Sequence, residues 1–241
     1  MKPVIIFQHS RLVGPGHFAS FLDRREIPWR LVRTDLGEAI PSSCADSSGL
    51  CFLGGEMSVN DPLPWIDREL ALIREALAND IPVIGHCLGG QLMAKALGAR
   101  VSSNPVREIG WNRVYRAATP AAHAWLGELG DFDCFHWHGE TFALPAGAEP
   151  LLSSTHCGNQ AFAIGPHLGM QCHVEMTPEL IGQWTEEWSG ETAVIDVPGS
   201  PVQSAELIRA ETAKKLPAMR VATERLYTHW LDQVMQRVQP A

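Results

Sequence analysis

Cys87 stands in the run 81–91, IPVIGHCLGGQ, where an apolar strand meets a small-residue turn and a helix-forming segment over 91–97 follows. Gly-x-Cys-x-Gly at a strand-to-helix junction is the thiol form of the nucleophile elbow. Its glycines permit a tight, strained turn that pushes the cysteine out of the sheet edge. Unpaired N–H groups in the first turn of the helix favour a thiolate and can hydrogen-bond an oxyanion forming beside it. The plainer alternative is a small buried cysteine in a Gly-rich turn. A nucleophile also needs a base, and with ten histidines in the chain the presence of one says little. The run 169–178, GMQCHVEMTP, is the exception. Read as a strand over Gly169–Val174, it sets His173 and Glu175 on one face, so that a carboxylate can orient an imidazole that takes a thiol proton. Thr177, Pro178 and Glu179 then read as an N-cap and a first helical turn, which puts the pair at the C-terminal end of a strand, where α/β folds build their sites. Two polar residues at a strand end, without chemistry, are the alternative.

The elements that must position these residues alternate through the first hundred positions. Strands are expected at Val4–Gln8, Trp29–Arg33, Leu50–Leu53 and Ile81–Gly85, and a short helix at His17–Arg25. A helix over Pro64–Ala78 carries Ile66, Leu70, Ile73 and Leu77 at helical spacing. This βα alternation predicts an open, mainly parallel sheet with helices on both faces. From Ile109 to Glu175 the texture changes to short β-like runs at 111–117, 133–137, 150–154, 160–164 and 169–174, read as antiparallel additions that return the chain to the sheet. A helix over Leu180–Trp188, a Gly/Pro-containing link over Glu191–Val202 and a long helical stretch from the Ser204 cap to about Val238, broken or kinked near Pro217, complete the chain. The organisation expected is a catalytic unit over 1–190, with a linker and helical extension over 191–241 packed on it. Trp184 and Trp188, four apart on a helix, read as core packing or a partner surface, and Trp230 as a residue that docks the last helix.

Composition sets the boundaries. The 241 residues are 45% apolar and 19% charged, enough to bury a sizeable core. A formal net charge of −8 argues against a general basic surface and so against nucleic acid as partner. No apolar run reaches bilayer length, and the start reads as a first strand rather than a signal peptide, so no membrane partner and a cytoplasmic location are expected. The six cysteines form no Cys-x-x-Cys pair; Cys51 and Cys172 lie in apolar runs and read as core. Convergence of His156, Cys157, Cys172 and His173 on zinc lacks the usual ligand spacing, so no metal is expected. Neither a P-loop nor a dinucleotide fingerprint is present, and no cofactor is expected.

Taken together, the elbow at 85–91 and the His173–Glu175 pair resemble the class I glutamine amidotransferases, which use a Cys–His–Glu triad. Two further segments resemble that family in the family's order. Residues 52–61, FLGGEMSVND, look like its oxyanion strand ending in Gly-Gly, and residues 135–140, FHWHGE, look like the Ser-His-Gly-Asp region of the GMP synthase amidotransferase domain. The resemblance covers about residues 4 to 190. It implies a flavodoxin-like α/β fold and Cys87, His173 and Glu175 as the triad. It implies Gly55 and Leu88 as backbone donors of an oxyanion hole, and Gly54, Gln91, Trp137, His138 and Gly139 at the substrate. Departures stand beside it: Val174 replaces the usual proline between His and Glu, Glu56 follows Gly-Gly, and Trp137 and Glu140 replace Ser and Asp. The activity implied is hydrolysis of the glutamine γ-carboxamide through a γ-glutamyl thioester, with the ammonia passed to a separate synthetase. A stand-alone hydrolase of γ-glutamyl peptides or amines, and a non-catalytic binding protein of the same fold, are the other readings.

Overall fold

In the computed structural model, which describes residues 1–194 and 197–238, one nine-stranded sheet carries the chain. Its order is β2-β1-β3-β4-β9-β8-β7-β5-β6. The parallel half comprises β1 (Val4–Gln8), β2 (Trp29–Arg33), β3 (Gly49–Phe52), β4 (Val83–His86) and β9 (His167–Met170). The antiparallel half comprises β5 (Val101–Arg116), β6 (Phe132–Phe142), β7 (Glu149–Ser154) and β8 (Ala161–Ile164). β1 is buried along its whole length because helices cover both faces. Its alternate residues feed two cores: Val4 and Ile6 join Phe18, Phe21 and Trp230, while Ile5 and Phe7 join Phe52, Ile66 and Ile73.

Helices α1 (Gly16–Arg24), α2 (Pro64–Ala78) and α3 (Leu88–Ala96) follow strands of the parallel half. α2 begins at Pro64, whose fixed φ suits a first helical position, and buries Ile66, Leu70 and Ile73 as their spacing predicts. α4 (Pro120–Leu126), which the sequence reading omitted, starts at a Thr119 cap whose hydroxyl accepts from the Ala122 N–H at 3.1 Å. Helix α5 (Pro178–Glu187) is capped by Thr177 in the same way.

The last helix, α6 (Ala205–Val238), continues through Pro217 rather than breaking there. A proline inside a helix removes one ladder bond, but Leu216 and Met219 on either side of it are buried, as are Leu226, Tyr227 and Trp230 further on. Packing overrides the local defect. Trp230 lies so close to β3 that a side chain at Gly49 would stand 2.9 Å from its ring. Within the link expected over 191–202, residues 195–196 lie outside the described residues; Gln203 and Pro201 bond back to Ile109 of β5.

Two strand boundaries differ in ways that bear on the site. β5 starts ten residues before the run expected at 111, with an irregularity between Ser103 and Glu108. Pro105, which cannot donate to a ladder, sits inside that irregularity. β9 ends at Met170, so His173 is not in the strand expected over 169–174. After Met170 the backbone changes partners: Cys87 N–H bonds to Met170 O at 2.8 Å, Gln171 N–H to Gln160 O at 2.8 Å and His173 N–H to Phe135 O at 2.8 Å. His173 therefore stands in an isolated antiparallel bridge to β6.

Candidate active site

Cys87 occupies the turn between β4 and α3 with φ 51° and ψ −107°. A positive φ costs a side-chain-bearing residue about 1–3 kcal/mol and persists only where its surroundings enforce it. Here they do. A Cβ at Gly89 would lie 2.0 Å from Phe52 O, and one at Gly90 2.3 Å from Met170 O. The first turn of α3 is thus pressed directly against β3 and the end of β9, and the cysteine takes the strained position above the sheet edge. It is 7% exposed, at the floor of a cavity of about 280 Å³.

His173 lines the same cavity. Its Nδ1 and Glu175 Oε1 are 2.6 Å apart, both side chains being buried. Nε2 has no hydrogen-bond partner among the described residues, and the Cys87 thiol is one of the two groups that favour the charged imidazole. The two meet over Gly54, where a Cβ would stand 3.2 Å from His173 Cε1 and 3.6 Å from Cys87 Cβ. Burial works against a charged imidazole, but Glu175 and Cys87 outweigh it and hold His173 well above the ordinary histidine range. Burial likewise opposes ionised Glu175, yet His173 and His86 hold that carboxyl below its usual value. Trp184 sets its ring edge-on to His173, centroids 4.9 Å apart at 87°, which fixes the plane of the imidazole.

Of the residues expected around this centre, Gly55, Gln91, Trp137, His138 and Gly139 line the cavity. Gly54 does not; it is the packing glycine beneath His173 and Cys87, where a Cβ would press on His173 and Val13 at 3.2 Å. Leu88 is the first residue of α3, so its N–H lies in the turn that has no intrahelical partner, and its side chain packs behind Gly55. Glu56 lines the cavity and accepts from Ser10 Oγ at 3.3 Å; Glu140 accepts from Ser58 Oγ at 3.0 Å.

Several contributors escaped the sequence reading. Gln171 accepts from Gln91 Nε2 at 3.1 Å and turns its own Nε2 toward Cys87 Sγ at 3.5 Å. Trp184 and Trp188, read as core or partner surface, form a wall of the cavity with Trp137; ring centroids lie 5.3 Å apart for Trp137–Trp188 and 5.0 Å for Trp184–Trp188. Their spacing in sequence shows a helix face, but its meeting with His173 and Trp137 is a product of the fold.

The zinc ligands considered from sequence do not converge. Cys157 Sγ lies 3.1 Å from Thr141 Oγ1, and Cys172 Sγ donates to Gln160 O at 3.7 Å. A different group gathers behind the cavity: ligand atoms of Glu108, His136 and His138 all lie within 4.8 Å of one another. Glu108 already accepts from Ser154 Oγ and Gln160 Nε2, each at 2.7 Å, and faces His138 Nε2 at 3.1 Å. His138 Nδ1 in turn donates to Glu140 O at 3.0 Å, which fixes the segment 138–140. Glu108 and His138 thus form a hydrogen-bonded support for the cavity wall, whereas neither ring nitrogen of the buried His136 has a hydrogen-bond partner among the described residues. Burial opposes the Glu108 charge, but His138 beside it holds the carboxyl below its usual range.

Comparison with known proteins agrees with this architecture. The model of the family "Glutamine amidotransferase class-I" matches residues 22–186. The glutamine amidotransferase-like protein YfeJ of Salmonella typhimurium is 30% identical over 180 residues, covering 72% of this chain and 75% of that protein. GMP synthase (glutamine-hydrolyzing) of Thermomicrobium roseum is 34% identical over 140 residues, covering 56% of this chain; the chain spans 24% of that longer protein. The crystal structure of a glutamine amidotransferase from Methylobacillus flagellatus superposes with a TM-score of 0.91 at 43% identity, covering 97% of this chain and 95% of that one. With the family model matching well over half of its length, the chain belongs to the class I glutamine amidotransferases.

Proposed function

We propose that the protein hydrolyses the γ-amide of glutamine or of a related γ-glutamyl compound, with Cys87 as nucleophile, His173 as base and acid, and Glu175 as the group that orients and charges the imidazole. The observation that carries this reading is the strained Cys87 at the cavity floor beside a buried His173–Glu175 pair at 2.6 Å. In the proposed reaction the Cys87 sulfur attacks the amide carbon and its proton rests on His173. The N–H groups of Gly55 and Leu88 receive the oxyanion, each such donor being worth about 3 kcal/mol in comparable sites. His173 then gives its proton to the departing nitrogen as the C–N bond breaks, leaving a γ-glutamyl thioester. Water, deprotonated by His173, cleaves that thioester and releases glutamate and the thiol.

Residues 1–190 serve as the catalytic unit in this reading and 191–241 as its helical extension. Ammonia passes to a separate synthetase when glutamine is the substrate. A second reading, a stand-alone hydrolase of γ-glutamyl amines or peptides, draws support from the wall of Trp137, Trp184 and Trp188, which offers apolar surface to a leaving group larger than ammonia. A free thiol at Cys87 suits the reducing cytoplasm, and no helix among the described residues is long and apolar enough to cross a membrane. Glutamate release from glutamine and from γ-glutamyl methylamide, measured with the lone chain, separates the two readings. Faster turnover of the methylamide favours the second, stimulation of glutamine turnover by a co-purifying synthetase favours the first, and no release under either condition overturns both.

A further inference from the structure

We infer that Arg107 binds the α-carboxylate of the γ-glutamyl substrate, and that Glu191 is an internal carboxylate which holds the guanidinium in place until the substrate displaces it. The inference rests on the γ-glutamyl reading above. Its basis begins in the β5–β6 ladder. Ser103 pairs with Glu140, and the next pair is Glu108 with His138. Residues 104–107 of β5 therefore stand opposite Gly139 alone. A bulge of this kind bends a strand and re-aims its side chains, often beside a site. It is held in shape by Asn104, whose Nδ2 donates to Val106 O at 2.7 Å and to His156 O at 3.0 Å.

Arg107 is the last residue of the bulge, and its stem lies across Gly139. A Cβ there would stand 3.5 Å from Arg107 Cγ and 3.6 Å from Nε. Beyond Gly139 the guanidinium reaches the cavity, where it is the one Lys or Arg side chain among the described lining residues. The lining carboxylates are Glu56, Glu140 and Glu191. A free amino-acid end needs an anion for its ammonium and a cation for its carboxylate. Glu140 and Glu56 are available for the first. For the second, His138 is already committed, its two ring nitrogens facing Glu140 O and Glu108. That leaves Arg107, whose planar guanidinium matches a carboxylate with paired donors.

The cavity already shows a carboxylate in that position. Glu191 Oε2 accepts from Arg107 Nη2 and lies 3.4 Å from Trp137 Nε1, which also donates to it. Glu191 ends a short 3₁₀ turn (Ser189–Glu191) after α5, and its side chain is 33% exposed, so it can leave toward solvent without breaking a core contact. The substrate carboxylate would inherit the guanidinium and the indole N–H together.

The test compares L-glutamine with its α-methyl ester, which keeps the amide and the ammonium but lacks the carboxylate charge. The wild-type chain is expected to prefer glutamine in kcat/KM. Arg107→Gln is expected to raise KM for glutamine by about tenfold or more, leave kcat within about threefold, and erase the preference over the ester; Arg107→Lys should retain part of it. Glu191→Gln is expected to lower KM for glutamine, since it removes the competing carboxylate. Alkylation of Cys87 by a chloroketone analogue of glutamine and by its α-methyl ester, followed by mass spectrometry, reads the same selectivity without turnover. Arg107→Gln retaining the wild-type preference in both assays overturns the assignment of Arg107, and a higher KM in Glu191→Gln overturns the exchange. Cys87 that reacts with iodoacetamide but with neither chloroketone removes the γ-glutamyl reading itself, and the inference with it.

Discussion

At the scale of single residues, the site depends on placing one thiol in a conformation that side chains avoid and setting one ionised pair where water is scarce. Cys87 holds φ 51° because the glycines around it let the first turn of α3 close onto β3 and β9. Glu175 supplies the charge that keeps His173 well above its ordinary value against the cost of burial. Glu175→Gln should therefore lower kcat about a hundredfold or more. It should also move the NMR titration of His173 to lower pH, because the carboxylate that stabilised the imidazolium is gone. An unchanged His173 titration would contradict the role given to Glu175. That Cys87, His173 and Glu175 stand together as candidates was legible in sequence because their neighbours carry local signals: glycines about the thiol, and a Thr-Pro helix start just after the pair. Glu108 and Arg107 were not, and Gln171, though inside the run that holds His173, carried no signal of its own contact with Cys87. Nothing beside Glu108 or Arg107 in the chain marks them, and their places behind and at the cavity come from the β5–β6 pairing, which exists only in the folded sheet.

At the scale of elements, the decisive contact is the α3 N-terminus against the sheet. A methyl group at Gly89 would overlap the Phe52 carbonyl at 2.0 Å, and the obstacle is backbone rather than a flexible side chain. Gly89→Ala should cost about 2–3 kcal/mol in urea unfolding and lower Cys87 reactivity, since α3 must back away from β3. A variant with wild-type stability and wild-type alkylation would show that the tight turn is not required. The βα half of the fold was readable because β1 opens on a continuous apolar run and α2 has a clear helical period. The antiparallel half was readable only in fragments. Pro105 interrupts the pattern of β5 at the bulge, and β9 ends early because backbone partners switch after Met170, neither of which side-chain alternation can reveal.

At the scale of the whole molecule, α6 closes the back of the sheet and the interior keeps several histidines neutral. Burial drives His136 down to about 3 and His167 down to about 4. An unfolded chain binds protons on these residues near pH 6.5, while the folded chain does not until the lower values are reached. The unfolded state thus holds more protons in that window, and stability falls as pH drops from about 6.5, by about 1.4 kcal/mol per pH unit for each histidine. His136→Phe should flatten the decline of the urea midpoint between pH 6.5 and 5. An unaltered slope would mean that His136 is not held neutral in the fold.

The decisive experiment is steady-state glutamate release from glutamine by the purified chain, set against Cys87→Ala of verified fold. Release is expected to depend wholly on Cys87, with the variant at the level of buffer. Turnover by Cys87→Ala at the wild-type rate would contradict that dependence and place the chemistry elsewhere in the molecule.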